Sequence, residues 1–291
     1  MSCEVRPVHP EDFDALLPLL MRFRNPRMTR EDWRRMLFDL PWTTGEPTRG
    51  MALWDGPRAV GFLGAIPSER TIQGRTRRFV NLSSWFVEEA HRAESLKLVL
   101  PLLADRKRTI VNLSPSPAAA EIFKGLGFKP LETEQVLVPL VTGVTDLLPR
   151  VGVGVRTRLD RVREALDAPG RALLDDMKGT QAGQVLLTAG GRACHVIATR
   201  SVWKAHWRLA HVQYASDWDL LWRHPARVAG AFLRVFGTMG LRVDGRHMPA
   251  APPPFSVVKA LAEPHLFRPE DAGVTPAHVD GLYTEAVGLR W

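Results

Sequence analysis

The sequence predicts an α/β protein of two lobes, each a mixed, mostly antiparallel twisted sheet flanked by helices. Three observations predict this. Apolar runs typical of strands alternate with apolar residues at helical spacing. The 291 residues are enough for two domains of ordinary size. The order of elements in the first half recurs roughly in the second. The alternative is one such domain with an unrelated α/β extension.

The first elements are predicted from caps and turn residues. A strand at Val5–Pro7 precedes a helix that starts at Pro10, and Thr29 is a good N-cap for a second helix that ends near Leu40. A hairpin then follows around the turn residues 55–57. Its two strands are Met51–Trp54 and Ala59–Ile66.

The middle of the first half has the clearest pattern. A long strand is followed by a turn, an amphipathic helix, a second strand and a second helix, which ends in residues 125–128 (GLGF). The bounds are Phe79–Val87 for the strand, Glu88–Arg92 for the turn, Ala93–Asp105 for the helix, Arg108–Leu113 for the second strand and Glu134–Val141 for a last strand.

We expect a first domain over residues 1–142, a linker over 143–156 that contains Gly152 and Gly154, and a second domain over 157–291. The predicted elements of the second half are, in order, a helix Arg158–Leu174, strands Gly183–Thr188, Ala193–Thr199 and Trp207–Tyr214, a helix Pro225–Met239, a strand Leu241–Val243, a helix Phe255–Leu261 and a strand Val279–Val287.

Composition excludes several classes. Hydrophobic residues are 45% and charged residues 24% of the chain, as in soluble globular proteins, and no apolar run approaches the roughly 18–20 residues of a membrane span. The first residues lack the positive region of a secretory signal, so we expect a cytoplasmic protein with no membrane partner. Two cysteines, Cys3 and Cys194, form no cysteine-rich metal site, and no HExxH or CxxC occurs, so no metal is expected.

Residues 79–129 resemble the acyl-CoA-binding core of the GNAT acyltransferase superfamily. There, the turn after the central strand reads R/Q-x-x-G-x-G/A and its backbone N–H groups hold the CoA pyrophosphate at a helix N-terminus. Here Arg92 matches, Ser95 replaces the first glycine and Lys97 stands at the second position. The resemblance implies that the pyrophosphate is held by Arg92, Ala93, Ser95, Leu96 and Lys97.

The second GNAT motif normally reads N-x-x-A-x-x-L/I-Y-x-x-x-G-F. Ala119, Ile122 and Gly127-Phe128 keep this frame, whereas Ser116 replaces the asparagine and Phe123 the tyrosine that usually protonates the leaving thiolate. The usual general acid is therefore missing from its place. Because thiol pKa values lie near ~8.5, a CoA thiolate can leave without that help. The resemblance places Ser116 and Phe123 beside the donor.

Several polar residues near the end of the central strand are candidates for chemistry. Glu88, with Glu89 and His91 as alternatives, could take a proton from the amine. Asn81 and Ser114, with Ser83 and Asn112, alternate on the two strands and could line an acceptor cleft; ordinary strand-end hydrogen bonds are the alternative role for all of them. The resemblance also implies that backbone amides at Phe86 and Val87 polarise the thioester carbonyl.

The resemblance implies an N-acyltransferase that moves an acyl group, in the first instance acetyl, from CoA to an amine of a small molecule or amino sugar, with no metal. Two alternatives stay open. The net charge of +8 and the degenerate turn also suit an aminoacyl-tRNA donor, as in some tandem GNAT-like proteins. The missing glycines and tyrosine also suit an inert binding or scaffold protein. The oligomeric state is not indicated.

Overall fold

The computed structural model describes residues 3–23, 28–42, 44–142, 151–204 and 206–288. The chain forms two compact units. Unit 1 comprises Met1–Leu131, His265–His278 and Tyr283–Arg290, and unit 2 comprises Glu132–Pro264, Val279–Leu282 and Trp291. These units divide between Leu131 and Glu132 rather than after residue 142, and each contains more than one segment of the chain. The expected linker residues 143–150 lie outside the described residues.

Unit 1 begins with an edge strand, two helices and a hairpin, and then follows the predicted strand–helix–strand–helix order. Its elements are β1 Glu4–Pro7, α1 Phe13–Leu20, α2 Arg30–Leu37, β2 Gly50–Asp55, β3 Arg58–Ile72, β4 Arg75–Val87, α3 Leu96–Ala104, β5 Thr109–Asn112 and α4 Pro117–Gly125. Thr29 caps α2 as predicted: its side chain accepts a hydrogen bond from the Asp32 N–H.

The sheet of unit 1 is mixed and mostly antiparallel. Strands β1, β2, β3 and β4 pair antiparallel in that order, and β4 then pairs in parallel with β5. A parallel pair needs a crossover connection, which α3 supplies. The next neighbour of β5 is the end of β12 (Val257–Arg268), at Leu266–Arg268. The apolar side chains of α3 and α4 pack against this sheet, with Leu98, Val99, Ala120 and Phe123 in one core cluster.

Unit 2 repeats this arrangement. Its first strand is β6 (Lys129–Pro139), which belongs to unit 2 from Glu132 onward. The other elements are β7 Val153–Arg156, α5 Leu159–Ala165, α6 Ala168–Asp176, β8 Ala182–Ala189, β9 Arg192–Trp203, β10 Trp207–Ala215, α7 Trp218–Arg223, α8 Pro225–Phe236 and β11 Gly240–Asp244. Strands β7, β8, β9 and β10 pair antiparallel, β10 and β11 pair in parallel, and β11 pairs antiparallel with β6. The predicted α/β class, with a mixed sheet flanked by helices in each lobe, is confirmed.

The two halves exchange their last strands. In unit 1 the position beside β5 is filled by β12, which comes from the second half of the sequence. In unit 2 the equivalent position beside β11 is filled by β6, which comes from the first half. This exchange explains why the compact units are not two consecutive stretches of sequence.

Two predicted elements of the second half are wrong. Phe255–Leu261 is not a helix: residues from Val257 on form β12, because β-branched Val257 and Val258 favour an extended chain. Val279–Val287 is not a strand: Tyr283 within it is left-handed (φ 58°), and a short helix α9 follows at Glu285–Gly288.

Two further corrections concern the region after residue 150. Gly154 lies within strand β7, where it pairs with Thr188 of β8, so it does not belong to a linker. The predicted helix Arg158–Leu174 is two helices, because Asp167 begins α6 by accepting a hydrogen bond from the Gly170 N–H. Among the described residues, no helix is both long and apolar enough to cross a membrane.

Candidate functional site

The parallel strands of unit 1 separate soon after they pair. β4 and β5 are in register only from Phe79–Asn81 to Thr109–Val111, whereas β4 continues to Val87. In the described residues, the last six positions of β4 are therefore paired on the β3 side alone. An opening at the carboxyl ends of neighbouring parallel strands is a usual place for a ligand in an α/β sheet.

A β-bulge lies in the unpaired part of β4. Phe62 of β3 faces Phe86 and Gly64 faces Ser83, so two residues of β4, Ser84 and Trp85, oppose one residue of β3. Ser84 adopts a left-handed conformation with φ of 57°. Gly64 is needed here, because a Cβ at this position would lie 2.9 Å from the Ser83 carbonyl oxygen. The bulge changes the direction of the peptide groups that precede Phe86 and Val87.

A buried carboxyl group lies at this opening. Glu285, the first residue of α9, is 1% exposed. Its Oε1 accepts a hydrogen bond from the Ser114 hydroxyl at 2.8 Å, and Oε2 is buried with no hydrogen-bond partner among the described residues. Burial raises the pKa of Glu285 from its usual 4.5 to about 7, against the opposing effects of Ser114 and His265.

Two of the predicted catalytic residues hold Glu285. Asn81, buried on β4, accepts a hydrogen bond from the Glu285 backbone N–H at 3.0 Å through Oδ1. Ser114 lies just after β5, and its backbone N–H donates to Asn112 Oδ1 at 3.3 Å. Because Ser114 is exposed and Glu285 is buried, the Ser114 hydroxyl connects the surface of unit 1 with the buried carboxyl.

Glu88, the predicted base, is in a different environment. Its carboxylate accepts two hydrogen bonds from Arg58 Nη1, at 2.9 and 3.1 Å, and lies 3.4 Å from Arg22 Nη2. Two arginines therefore compensate the charge of Glu88. These contacts favour a role for Glu88 in ion pairs over a role as a proton acceptor. Glu285 was missed because it fell in a predicted strand; the only signal was a glutamate between apolar residues in the segment LYTEAVG (282–288).

The predicted pyrophosphate turn is a 3-10 helix at Glu89–Glu94 that continues into α3. The Ser95 N–H donates to the Arg92 carbonyl at 3.1 Å, and the Leu98 N–H donates to the Ser95 carbonyl at 3.2 Å. These two amides are therefore already used within the turn. Arg92, Ala93, Leu96 and Lys97 are exposed, and Lys97 Nζ lies 2.7 Å from Glu94 Oε2.

The two replaced positions of the second motif have structural roles. Ser116 caps α4, since its hydroxyl accepts a hydrogen bond from the Ala119 N–H at 3.3 Å. Phe123 is fully buried, with its ring centroid 5.4 Å from that of Trp85 and 4.9 Å from that of Phe128. Phe123 therefore lies in the core of unit 1, and the expectation that it lies beside an open donor site is not supported by this packing.

Three potential metal ligands lie next to this turn. Cys3 Sγ is 3.3 Å from His91 Nδ1, and one ligand atom each from Cys3, His91 and Glu94 lie within 4.8 Å of one another. Cys3 is 8% exposed, and burial, with Glu94 as a second cause, raises the pKa of its thiol.

A cavity of about 150 Å³ in unit 1 lies away from the opening between β4 and β5. It is lined by residues near the start of β5 and the middle of β3 and β4, with Arg108, Arg78 and Glu46 among them. Arg108 contacts Asp105 at 2.6 Å and Glu46 at 3.4 Å, so its charge is compensated within the protein. The catalytic candidates do not line this cavity.

Unit 2 contains a buried ion network in place of a donor motif. Arg246 contacts both Glu132 and Asp244, and its Nε donates to the Val279 carbonyl at 2.7 Å. His211 Nε2 is 2.8 Å from the same Asp244. These contacts give the polar residues of unit 2 a structural role.

No protein-family model matches the sequence, and no curated protein sequence matches it. Solved structures match across most of the chain. One is a conserved protein of unknown function from Enterococcus faecalis, with a TM-score of 0.61 and 13% sequence identity. The match covers 92% of this chain and 73% of the Enterococcus faecalis chain. GCN5-related N-acetyltransferases from Kribbella flavida (0.56, 15%; 93% and 73% covered) and Anabaena variabilis (0.55, 8%; 92% and 73%) are also similar. The protein therefore has the GNAT fold, as the motifs indicated.

Proposed function

We propose that this protein is an N-acyltransferase that moves an acyl group, acetyl in the first instance, from CoA to an amine of a small molecule or amino sugar. The observation that carries the proposal is the pair Ser114–Glu285 at the carboxyl ends of two parallel strands that separate. The fold supports the same reaction class, since GCN5-related N-acetyltransferases share it.

In this proposal the amine attacks the thioester carbon, a C–N bond forms and the C–S bond breaks. Of the two amides that the resemblance singles out, that of Phe86 faces β3, because Glu88 two residues later donates its N–H to the Val60 carbonyl on that strand. The carbonyl oxygen is therefore polarised by the backbone N–H of Val87, which points to the other side of β4 beyond the bulge. The amine gives up one proton through the Ser114 hydroxyl to Glu285. The CoA thiolate leaves unprotonated and takes a proton from water, because a pKa near ~8.5 makes it an acceptable leaving group.

The donor is proposed to bind by side-chain charge more than by a backbone cradle. Arg92 is exposed, and its Nη1 lies 3.9 Å from Glu89 Oε1. This ion pair is long and weak, so the guanidinium stays accessible. Lys97 is the second cation of the turn, although it is paired with Glu94. Both lie on the helix start where the resemblance places the pyrophosphate.

Calorimetry with acetyl-CoA and free CoA tests donor binding. We expect wild type to bind both and Arg92→Ala to bind about 10-fold more weakly. Arg161→Ala is the matched control: this exposed arginine has a glutamate partner three residues away, as Arg92 has, but lies on α5 of unit 2. Absence of binding by wild type would overturn the proposal.

Turnover tests the base. Glu285→Gln keeps the size of the side chain and its contact with Ser114, so it should bind acetyl-CoA as wild type does. Loss of one proton acceptor should lower kcat by about 10²–10⁴-fold. Glu88→Gln is the control, and we expect it to keep its kcat, because Arg58 and Arg22 already hold the Glu88 carboxylate.

A donor-free binding protein is the second candidate. It is favoured by one observation, the closed 3-10 turn that uses the Ser95 and Leu98 amides internally. This candidate predicts that calorimetry detects no binding of any acyl-CoA. A transferase that uses aminoacyl-tRNA would also show no binding of acetyl-CoA in calorimetry, but it would bind tRNA with an affinity that depends steeply on salt concentration.

A further inference from the structure

The N-terminal edge of unit 1 brings together three side chains that are far apart in sequence. Cys3 directly precedes β1, and His91 and Glu94 lie on the 3-10 helix that precedes α3. A 3-10 helix has three residues per turn, so residues three apart lie on the same face. His91 and Glu94 therefore present their side chains together toward Cys3.

The distances in this cluster suit a small metal ion. In a tetrahedral zinc site the bonds are about 2.0–2.3 Å, which places neighbouring ligand atoms roughly 3.5 Å apart. Cys3 Sγ and His91 Nδ1 are 3.3 Å apart, and the chosen atoms of all three residues lie within 4.8 Å of one another. Small side-chain movements would bring the third ligand into bonding range.

The ligand types select among metals. A thiolate and an imidazole favour Zn²⁺ and related transition metals, whereas Mg²⁺ and Ca²⁺ prefer oxygen ligands alone. Lys97 donates a hydrogen bond to Glu94 Oε2 at 2.7 Å, and hydrogen bonds to a ligating carboxylate orient it in metal sites.

We propose that Cys3, His91 and Glu94 bind a zinc ion, which ties the edge strand β1 to the turn before α3. Three protein ligands leave a fourth position of the tetrahedron for water or an external ligand. The site stands on these contacts alone and does not depend on acyl transfer. Without a metal, the same residues would form only a hydrogen-bonded cluster around the Cys3 thiol.

Metal titration of the full chain, without a histidine tag, tests the proposal. The protein is stripped with a chelator and titrated with Zn²⁺ against a chromophoric chelator, and separately with Co²⁺. We expect one equivalent of each, and the Co²⁺ form should show an intense thiolate-to-metal absorption band in the near ultraviolet. Binding of no metal, or a Co²⁺ spectrum without the thiolate band, would overturn the site.

Variants locate the ligands. Cys3→Ser and His91→Ala should each weaken Zn²⁺ binding by more than about 100-fold, and Lys97→Ala, which changes only an outer contact, by about 10-fold. Cys194→Ser is the matched control, because Cys194 is the only other cysteine and is buried in the core of unit 2. Equal Zn²⁺ affinity of Cys3→Ser and Cys194→Ser would contradict the assignment.

Alkylation of wild type gives a test that needs no variant to fold. Iodoacetamide labelling followed by mass spectrometry of the peptide that contains Cys3 measures its reactivity. Zn²⁺ should slow the alkylation of Cys3 and not that of Cys194, since a metal-bound thiolate is withdrawn from reaction. Equal rates at Cys3 with Zn²⁺ and with chelator would exclude this cysteine as a ligand.

Discussion

The hydroxyl of Ser114 donates a hydrogen bond to Oε1 of Glu285 at 2.8 Å, which joins an exposed residue after β5 to a fully buried carboxyl group. Asn81 accepts a hydrogen bond from the Glu285 backbone N–H, so the position of the carboxyl is set from two strands. Burial of a carboxyl group with one unpartnered oxygen lowers the stability of the folded state. Such a group is therefore a candidate for a functional role. The first two predictions depend on this pair.

Burial of Glu285 should make the stability of the protein fall as pH rises. The folded state keeps the Glu285 proton up to about pH 7, whereas the unfolded chain loses it near pH 4.5. The free energy of unfolding should therefore decrease between these values, by about 3 kcal/mol at most. Glu285→Gln should lack this decrease, so that it is more stable than wild type at pH 8. Chemical denaturation at pH 5 and pH 8 measures the difference.

The control for this prediction is Glu88→Gln. Glu88 is paired with Arg58, so its removal should not abolish the decrease in stability with rising pH. Parallel pH dependence in wild type and Glu285→Gln would show that Glu285 titrates as an ordinary carboxyl group.

The pH dependence of catalysis should depend on Ser114. The proposed base acts when it is deprotonated, so kcat/KM should rise with pH and level off above about pH 7. Ser114→Ala removes a hydrogen bond to the charged carboxylate, which should move the midpoint to higher pH. Ser116→Ala should keep the midpoint and lose about 1 kcal/mol of stability, because Ser116 only caps α4. An unchanged midpoint in Ser114→Ala would argue against a role for this hydroxyl in proton transfer.

A tyrosine at the motif position should not restore catalysis. Phe123 is fully buried against Trp85 and Phe128, so a hydroxyl group there loses its hydrogen bonds to water. Phe123→Tyr should cost about 1–3 kcal/mol of stability with no gain in kcat. Phe255→Tyr, at a position that is 76% exposed, should change stability by less than about 0.5 kcal/mol. A rise in kcat for Phe123→Tyr would instead place this residue at the leaving thiolate.

Arg246 should be essential for the stability of unit 2. Its guanidinium is buried with Glu132 and Asp244, and its removal takes away the cation that contacts both of these buried carboxylates. Arg246→Met should therefore cost about 3–5 kcal/mol. Arg223→Met is the control, because Arg223 is exposed and pairs with Asp219 on the surface, where such pairs contribute about 0–1 kcal/mol. Equal denaturation midpoints for the two variants would contradict this account.

Local signals in the sequence predicted much of unit 1. The predicted strand Phe79–Val87 ends where β4 ends, and Thr29 caps its helix as expected. Ser114 and Asn81 were selected because polar residues alternate on two neighbouring strands, and the structure places both in contact with Glu285. Apolar periodicity, caps and turn residues act over a few residues, so they can be read without the fold.

The sequence by itself determined the class of fold, the order of most elements and the motif frame around Phe123. Only the tertiary structure decided that β6 and β12 are exchanged between the two halves of the sequence, that Glu285 is buried beside Ser114, and that Cys3 lies beside His91. These features depend on contacts between residues that are 88 to 171 positions apart. Burial, and with it the proton affinity of a carboxyl group, is a property of the packed fold and has no local signal in the chain.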